Sequence, residues 1–220
     1  MYKIKTTCLK RVCLIQQPSY LYPGDEKMTV PKEPVKRCAW ASSHALLQEY
    51  HDTEWCVPSH DDRYMFEMLT LEGAQAGLSW LTILRRRKAY QKAFHQFSIA
   101  DCAVMTDKEL EQILRQKEVI ANRRKVYSVR ANAQAIQQLQ RQYGSFSAYL
   151  WKYTDGKVQC AHWAAEPDVP TASPLSKQIS RDLKKQGFQF VGPVIIYSFL
   201  QAIGMLDDHV ETCYKSKART

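Results

Sequence analysis

Helical spacing of apolar residues is the feature that most constrains this fold, and it extends from Arg37 over the rest of the chain. In residues 63–71, for example, one side of a helix would carry Met65, Phe66, Met68 and Leu69. No segment alternates apolar and polar residues as a half-buried strand does, and no internal repeat is visible. The sequence therefore predicts an all-α domain.

Capping and stop signals predict four further helices. Residues 106–109 read Thr-Asp-Lys-Glu, a capping box that begins a short helix. Asn122 can cap a long helix that ends at Gly144. The apolar stripe of this long helix would consist of Val126, Val129, Ala133, Ile136 and Tyr143. The other two helices are expected at residues 176–185 and 193–205.

Residues 186–206 carry no formal charge, and they are the segment that raises the question of a membrane span. Gly192 and Pro193 interrupt the segment early. The helix that remains is about 20 Å long at 1.5 Å per residue, too short for a hydrocarbon core of about 30 Å. We therefore predict a buried core helix and expect no membrane partner.

Composition indicates one globular domain. Of the 220 residues, 45% are apolar and 24% charged, which excludes disordered, collagenous and coiled-coil classes. We place the domain at residues 37–214. Residues 1–36 contain several prolines and no sustained helical period, so they are predicted to be a loosely ordered extension in which Met28 is a second candidate translation start. Residues 215–220 would form a basic tail.

Charge and cysteine usage indicate the partner and the compartment. Lysine and arginine number 31 against 22 acidic residues, a net charge of +9 that favours a polyanion such as nucleic acid. The seven cysteines are irregularly spaced, and the segment after Met1 lacks the apolar core of a secretory signal. Such a pattern is typical of reduced thiols. We expect a cytoplasmic, monomeric protein.

Two cysteines and two histidines lie near the two ends of the predicted domain. Cys38 and His51 are near its start, whereas His209 and Cys213 are near its end, at a spacing that places both on one face of a helix. Two thiolates and two imidazoles are a closed tetrahedral set for structural zinc. A core histidine and a buried thiol, which are more common, explain the same spacing.

Glu72 lies among apolar residues at the C-terminal end of a predicted helix, where the helix dipole disfavours a carboxylate. A cationic ligand, or one rich in hydrogen-bond donors, would satisfy this carboxylate. An exposed glutamate at a helix end is the more common explanation. Nearby aromatic residues form a core, a pocket wall or both, and they are Trp40, Tyr50, Trp55 and Trp80.

Six segments of this chain carry a family resemblance: Arg37-Cys-Ala-Trp40, Tyr50-His-Asp-Thr-Glu-Trp55, Phe66-Glu-Met-Leu-Thr-Leu-Glu72-Gly-Ala-Gln-Ala-Gly-Leu-Ser-Trp80, Phe190-Val-Gly192, Tyr197-Ser-Phe199 and Asp208-His209. Together they resemble the DNA-3-methyladenine glycosylase I family. Motifs of this length in this order are highly specific. The resemblance runs from about Arg37 to Cys213 and omits the N-terminal extension.

The resemblance implies a helix–hairpin–helix fold, a structural zinc, and excision of 3-methyladenine from double-stranded DNA to leave an abasic site. The zinc ligands implied by position are Cys38, His51, His209 and Cys213. Glu72 would be the catalytic residue that binds the base, and the pocket walls would be Tyr50, Trp80 and Trp40.

Several positions depart from the family pattern. Ala39 and Cys56 stand where the family has glycine, and Leu47 stands where it has an aromatic residue. In the hairpin, Glu118 and Ala121 replace a glycine and an arginine. These hairpin changes support an alternative function, a non-catalytic, zinc-stabilised helical module that binds damaged DNA.

The chemistry of 3-methyladenine fits these residues. Methylation at N3 makes the base cationic, so it leaves as a neutral molecule without a general acid. Residues 119–154 contain no Asp or Glu, so the second hairpin helix cannot supply a catalytic carboxylate. Catalysis would come from flipping the nucleotide, removing water and stacking the base on aromatic rings. An ionised Glu72 only accepts hydrogen bonds, so it would bind the adenine N6 amino group and repel the O6 of guanine.

The N-terminus of the second hairpin helix is the predicted DNA contact. Free backbone N–H groups are expected around Asn122, and Arg123, Arg124, Lys125 and Arg130 add positive charge to the first turns. Because the helix dipole disfavours positive charge at this end, phosphate binding would relieve the repulsion. Asn122, Arg123 and Lys125 are the predicted contacts. A solvated basic face explains the same run of charges.

Overall fold

The computed structural model describes residues 35–217, so the prediction for residues 1–36 lies almost entirely outside the described residues. Ten α-helices form this part of the chain: α1 Ala45–Thr53, α2 Asp62–Gln75, α3 Trp80–Ala93, α4 Ile99–Ala103, α5 Asp107–Gln116, α6 Arg123–Tyr143, α7 Phe146–Trp151, α8 Pro174–Lys185, α9 Pro193–Ala202 and α10 Tyr214–Lys217. Two parallel strands of two residues each, β1 Gln159–Cys160 and β2 Leu206–Asp207, also pair. The prediction of an all-α domain is confirmed in that the described residues are mainly helical, although it did not include the short strand pair.

Helix α2 is the centre of the core. It is longer than the predicted 63–71, and all ten residues in 65–74 are buried. The sequence predicts one apolar side, whereas the helix is covered on every side because α3, α6, α7 and α9 all pack against it. Its acidic residues Glu67 and Glu72 are therefore inside the protein.

Helices α5 and α6 form the predicted hairpin. The capping box is confirmed, since the backbone N–H of Thr106 donates to Glu109 Oε2 at 2.7 Å. Asn122 caps α6, and Gly144 ends it with a φ of 86°. Tyr143 does not join the buried stripe, because it lies at the last turn of α6 and its side chain is 43% exposed.

The loop between α5 and α6 is anchored to α3. Val119 is buried, and the backbone N–H of Ile120 donates to the hydroxyl of Tyr90 at 3.2 Å. This contact places the N-terminus of α6 close to the end of the central helix, since α3 follows α2 after a short turn.

Helices α8 and α9 occupy the positions that the sequence predicts, with small shifts of their ends. Ser173 caps α8, which begins at Pro174 because a proline is readily accepted in the first turn. Helix α9 begins at Pro193 and ends at Ala202, three residues before the predicted end. No helix in residues 35–217 has the length and apolar character that crossing a membrane requires.

A tight contact joins the segment after α1 to the end of α9. Cys56 N–H donates to Gln201 O at 2.9 Å, and Ser59 N–H donates to Ile203 O at 3.0 Å. Gly204 has a φ of +70°, and a Cβ added there would lie 2.3 Å from the backbone of the 57–58 peptide. Only glycine is accommodated at this position.

The change Gly204→Ala should therefore destabilise the protein more than the same change at a glycine with a similar φ and open surroundings. Gly156 is that control, because its φ is +72° and no atom lies within 4 Å of its added Cβ. We expect Gly156→Ala to cost about 1 kcal/mol and Gly204→Ala at least about 2 kcal/mol more, measured by urea unfolding. Equal losses of unfolding free energy in the two variants would show that the 57–58 peptide moves away from the new Cβ without an energetic cost.

Candidate active site and metal centre

A cavity of about 320 Å³ lies where α1, the end of α2, the start of α3 and α9 meet. The four residues predicted for a base pocket all line it, namely Trp40, Tyr50, Glu72 and Trp80. The structure thus brings together side chains that lie up to 40 positions apart. Gln75 and Ser198, which lie within the quoted motifs, also line the cavity, as do Glu166, Val169 and Gln201, which the sequence analysis does not single out.

Glu72 is buried, with 6% of its surface exposed, which excludes the alternative of an exposed glutamate at a helix end. Among residues 35–217, no side chain or backbone group donates a hydrogen bond to its carboxylate. Burial raises the pKa of Glu72 to about 8. At neutral pH the free protein therefore holds Glu72 mainly in the protonated form, which differs from the ionised state that the sequence-based argument assumes.

Aromatic rings form the walls of the cavity. The ring centroids of Tyr50 and Trp80 are 5.2 Å apart, and those of Trp40 and Trp55 are 5.1 Å apart. The hydroxyl of Tyr50 and Nε1 of Trp80 are buried and have no hydrogen-bond partner among the described residues. Burial also raises the pKa of Tyr50, so its hydroxyl remains a donor. Two buried donors of this cavity thus lack partners among residues 35–217, a costly arrangement that a ligand would relieve.

Asp208 also lines the cavity, but its carboxylate is already satisfied. It accepts hydrogen bonds from the hydroxyl of Tyr197 at 2.6 Å, from Nε2 of Gln201 at 2.7 Å and from Nε1 of Trp163 at 2.8 Å. Because all three donors belong to the protein, Asp208 holds the cavity wall together. Glu166, the third acidic residue of the cavity lining, accepts from the backbone N–H of Trp40 at 3.2 Å. Of these three acids, Glu72 is therefore the one suited to a ligand.

Cys38, His51 and Cys213 meet beside the cavity. One donor atom of each lies within 4.8 Å of the others, and all three residues are buried. His51 Nε2 is 3.5 Å from the Cys213 sulfur, while its Nδ1 is 2.9 Å from a carboxylate oxygen of Asp52. A carboxylate on the second ring nitrogen is the usual outer partner of a zinc-binding histidine. These residues fit three of the four positions of a tetrahedral zinc site.

His209 lies next to this cluster. Its ring centroid is 5.0 Å from that of His51. A donor atom of His209 groups instead with those of Cys56 and Asp207, within 4.8 Å. Since Nδ1 of His209 is 2.6 Å from Asp207 Oδ1, Nε2 is the nitrogen that would bind a metal shared with His51.

The predicted helix that would place His209 and Cys213 on one face is wrong. Residues 208–210 have no regular secondary structure, and residues 211–213 form a turn and a bend before α10. The strand Leu206–Asp207 pairs with β1, and Asp207 O accepts from the N–H of Ala161 at 3.1 Å. The chain then turns, and the N–H of Cys213 donates to Val210 O at 2.8 Å. The turn, and not a helical spacing, brings Cys213 to the cluster.

At the start of α6, Asn122 and Arg123 have internal partners. The side-chain oxygen of Asn122 accepts from the backbone N–H of Lys125 at 3.2 Å, which is the predicted cap. Arg123 pairs with Glu111 of α5 and donates to the hydroxyl of Tyr127 at 2.9 Å. The side chain of Arg123 is nevertheless 63% exposed, so it remains accessible from solvent.

The side chain of Lys125 points toward the protein, whereas the sequence predicts a contact with DNA phosphate. Its ammonium group donates to the backbone oxygens of Ala74 and Ala76, each at 2.9 Å. Arg130 is also engaged, with Met105 O at 2.8 Å and Asp107 at 2.7 Å. Two of the four basic residues in these turns are thus directed toward the protein, a result that their sequence positions do not reveal.

Comparison with known proteins places this architecture in a family. The chain matches the sequence profile of methyladenine glycosylases over residues 40–216. It is 38% identical over 179 residues to DNA-3-methyladenine glycosylase 1 of Escherichia coli (strain K12). That alignment covers 81% of this chain and 96% of the E. coli protein.

Solved structures agree with the sequence match. A crystal structure of 3-methyladenine DNA glycosylase I is 41% identical with a TM-score of 0.79, covering 81% of this chain and 98% of the other. A structure of the Staphylococcus aureus glycosylase that concerns 3-methyladenine recognition is 35% identical, with a TM-score of 0.79, and covers 83% and 97% of the two chains. On sequence and fold together, this chain belongs to the methyladenine glycosylase family.

Proposed function

We propose that this protein is a DNA repair glycosylase that excises 3-methyladenine from alkylated double-stranded DNA. It hydrolyses the N-glycosidic bond and leaves an abasic site. The observation that carries the proposal is Glu72, a buried acid that lies in an aromatic cavity and that no group in residues 35–217 pairs with. The relatives are named for this activity, and the S. aureus structure concerns recognition of the same base.

The cavity supports a mechanism that needs no general acid. The N3-methylated base is a cation and departs as a neutral molecule once the bond to the sugar breaks, and water then attacks the sugar cation. The protein must extrude the nucleotide, exclude water and stack the base on aromatic rings such as those of Tyr50 and Trp80. Each of these tasks uses the buried aromatic walls.

Glu72 couples base binding to its own ionisation. In the free protein, burial favours the neutral acid. Entry of a cationic adenine favours the carboxylate, because an opposite charge at short range lowers a carboxyl pKa. The ionised group then accepts hydrogen bonds from the N6 amino group and disfavours the O6 of guanine.

We further propose one structural zinc per chain, bound by Cys38, His51, His209 and Cys213. Three of these residues already converge, and the donor types are those that zinc prefers. With four protein ligands the ion would have no open position, so its contribution is to hold the two ends of the domain together.

The DNA contact is proposed at the N-terminus of α6. Asn122 and Arg123 are exposed there, and backbone N–H groups at a helix start attract phosphate. We also propose that the protein acts as a monomer. No disulfide links the cysteines in residues 35–217. Because reduced thiols are typical of the cytoplasm, we propose that the protein is cytoplasmic.

The change Glu72→Gln should reduce excision of 3-methyladenine ten- to a thousandfold, or about 1.5–4 kcal/mol, because it removes the charge that the cationic base requires. The assay is single-turnover release of abasic sites from N3-methylated duplex DNA. Wild-type protein that binds this DNA without releasing base would instead favour the non-catalytic module.

Loss of folding should not explain that result. The pKa of Glu72 is about 8 in the folded protein and has its ordinary, lower value in the unfolded chain. Between these two pH values only the folded protein holds the proton, so the free energy of unfolding of the wild type falls as pH rises through this range. Glu72→Gln should thus be at least as stable as wild type at pH 7. Excision within a factor of two of wild type would remove Glu72 from the mechanism.

The pH dependence provides a separate prediction. Below the pKa of about 8, binding a cationic base requires Glu72 to lose its proton. The excision rate at subsaturating protein should therefore rise about tenfold per pH unit from pH 6 and level off above pH 8. After subtraction of spontaneous base loss, Glu72→Gln should show no such rise. A flat wild-type profile would contradict the coupling.

Zinc content tests the metal proposal. Protein purified without chelator should contain one zinc per chain by elemental analysis, and Cys213→Ser should lose zinc and stability, since metal binding is coupled to folding. Cys160→Ser is the matched control, because Cys160 is an exposed thiol outside the cluster. His209→Ala tests the fourth ligand. Zinc-free wild-type protein, or full zinc in Cys213→Ser, would refute the assignment.

A further inference from the structure

Lys125 connects the hairpin to the base pocket. It is the third residue of α6, and its ammonium group reaches across to the end of α2, where it donates to Ala74 O and Ala76 O at 2.9 Å. Ala74 is in the last turn of α2, and Ala76 is the C-cap residue that follows Gln75. The last carbonyl groups of a helix lack intrahelical partners, and a cation at this end is favourable.

The two carbonyls belong to the segment that forms the pocket. Glu72 lies two residues before Ala74, and the turn after Ala76 leads through Ser79 to Trp80 at the start of α3. The lysine contact is thus a direct tertiary hydrogen bond between the proposed phosphate-binding helix and the segment that carries both the base-binding acid and one aromatic wall.

The neighbouring arginines are oriented differently. Arg124 is exposed, and its guanidinium lies 5.9 Å from the ring centroid of Phe190, with no ion pair to any residue in 35–217. Lys125 is only partly exposed, and burial lowers its pKa. Adjacent basic residues therefore have separate orientations: Arg124 faces solvent and Lys125 faces the protein.

We propose that Lys125 is a positioning residue that holds the 74–80 segment at a fixed place relative to the DNA-bound hairpin, so that an extruded base meets Glu72 and Trp80. This inference rests on the proposed excision activity and assigns Lys125 a role other than the phosphate contact that its sequence position predicts. The residue acts through the backbone of α2 and does not touch the base.

The experiment compares Lys125→Met, which keeps the length and removes the donors, with Lys125→Arg, which keeps them, and with Arg124→Met. Affinity for undamaged duplex is measured against salt concentration, and excision is measured at saturating protein. For Lys125→Met we expect an unchanged salt slope and an excision rate at least tenfold lower, which Lys125→Arg partly restores. Arg124→Met removes an exposed cation beside the proposed phosphate site, so it should reduce the magnitude of the salt slope by up to about 0.9, the value for one phosphate contact.

Two outcomes would overturn the proposal. A slope that falls by about 0.9 in Lys125→Met, with an unchanged saturating rate, would make Lys125 a phosphate contact. No change in either quantity would make it a surface residue. If Lys125→Met does not fold, Lys125→Gln, which keeps one donor site, is measured in the same way and judged by the same outcomes.

A measurement without DNA separates this proposal from the proposed function. Amide hydrogen exchange in residues 74–80 should accelerate in Lys125→Met and remain at the wild-type rate in Arg124→Met. If wild-type protein excises no 3-methyladenine, the function fails, yet faster exchange still supports the link between hairpin and pocket. If wild-type protein excises 3-methyladenine but exchange in residues 74–80 is unchanged in Lys125→Met, the proposed link between hairpin and pocket is refuted and the proposed function stands.

Discussion

Helix α2 passes through the middle of the domain, and each charged group on its buried part must be neutralised or paired inside the protein. Glu67 meets this requirement with Arg87 and Gln91, whose nitrogens both lie 2.8 Å from its carboxylate. Glu72, less than two turns further along, has no such partners among the described residues and is held as a neutral acid by burial. The same constraint thus produces one structural acid and one acid available to a ligand.

Hydrogen bonds between the N-terminal and C-terminal parts of the domain stabilise this core. The backbone of the segment after α1 bonds to the end of α9, and the N–H of Tyr214 donates to Lys36 O at 2.8 Å. Lys215 adds a 2.6 Å bond from its ammonium to Asp52 O. The cluster of Cys38, His51 and Cys213 lies at this junction, so a metal there would strengthen a closure that hydrogen bonds already form.

The four basic residues in the first turns of α6 differ in their interaction partners. Arg123 pairs with α5, Arg130 with the residues that precede and begin α5, and Lys125 with the end of α2, while Arg124 faces solvent. Pairing within the hairpin reduces the repulsion between these charges and the positive end of the helix dipole. It also makes the first turn of α6 a junction of three elements.

Local features were readable in the sequence because their causes are local. The capping box at Thr106, the cap at Asn122 and the stop at Gly144 depend on neighbouring residues, and all three are present in the structure. The identity of the pocket residues came from the family resemblance, since no spacing rule joins Tyr50 to Glu72. Gln201 and Glu166 enter the same cavity from distant segments, and the residues alone carried no signal for them.

The sequence by itself determined a helical domain, its main helix ends and the kinds of side chain available for base and metal binding, because these follow from periodicity, capping and residue chemistry. Tertiary structure decided which charges are paired and which are not. The protonation of Glu72, the inward direction of Lys125 and the turn that brings Cys213 to His51 all depend on burial and on contacts between segments far apart in the chain. Desolvation and long-range hydrogen bonds arise only when those segments pack together.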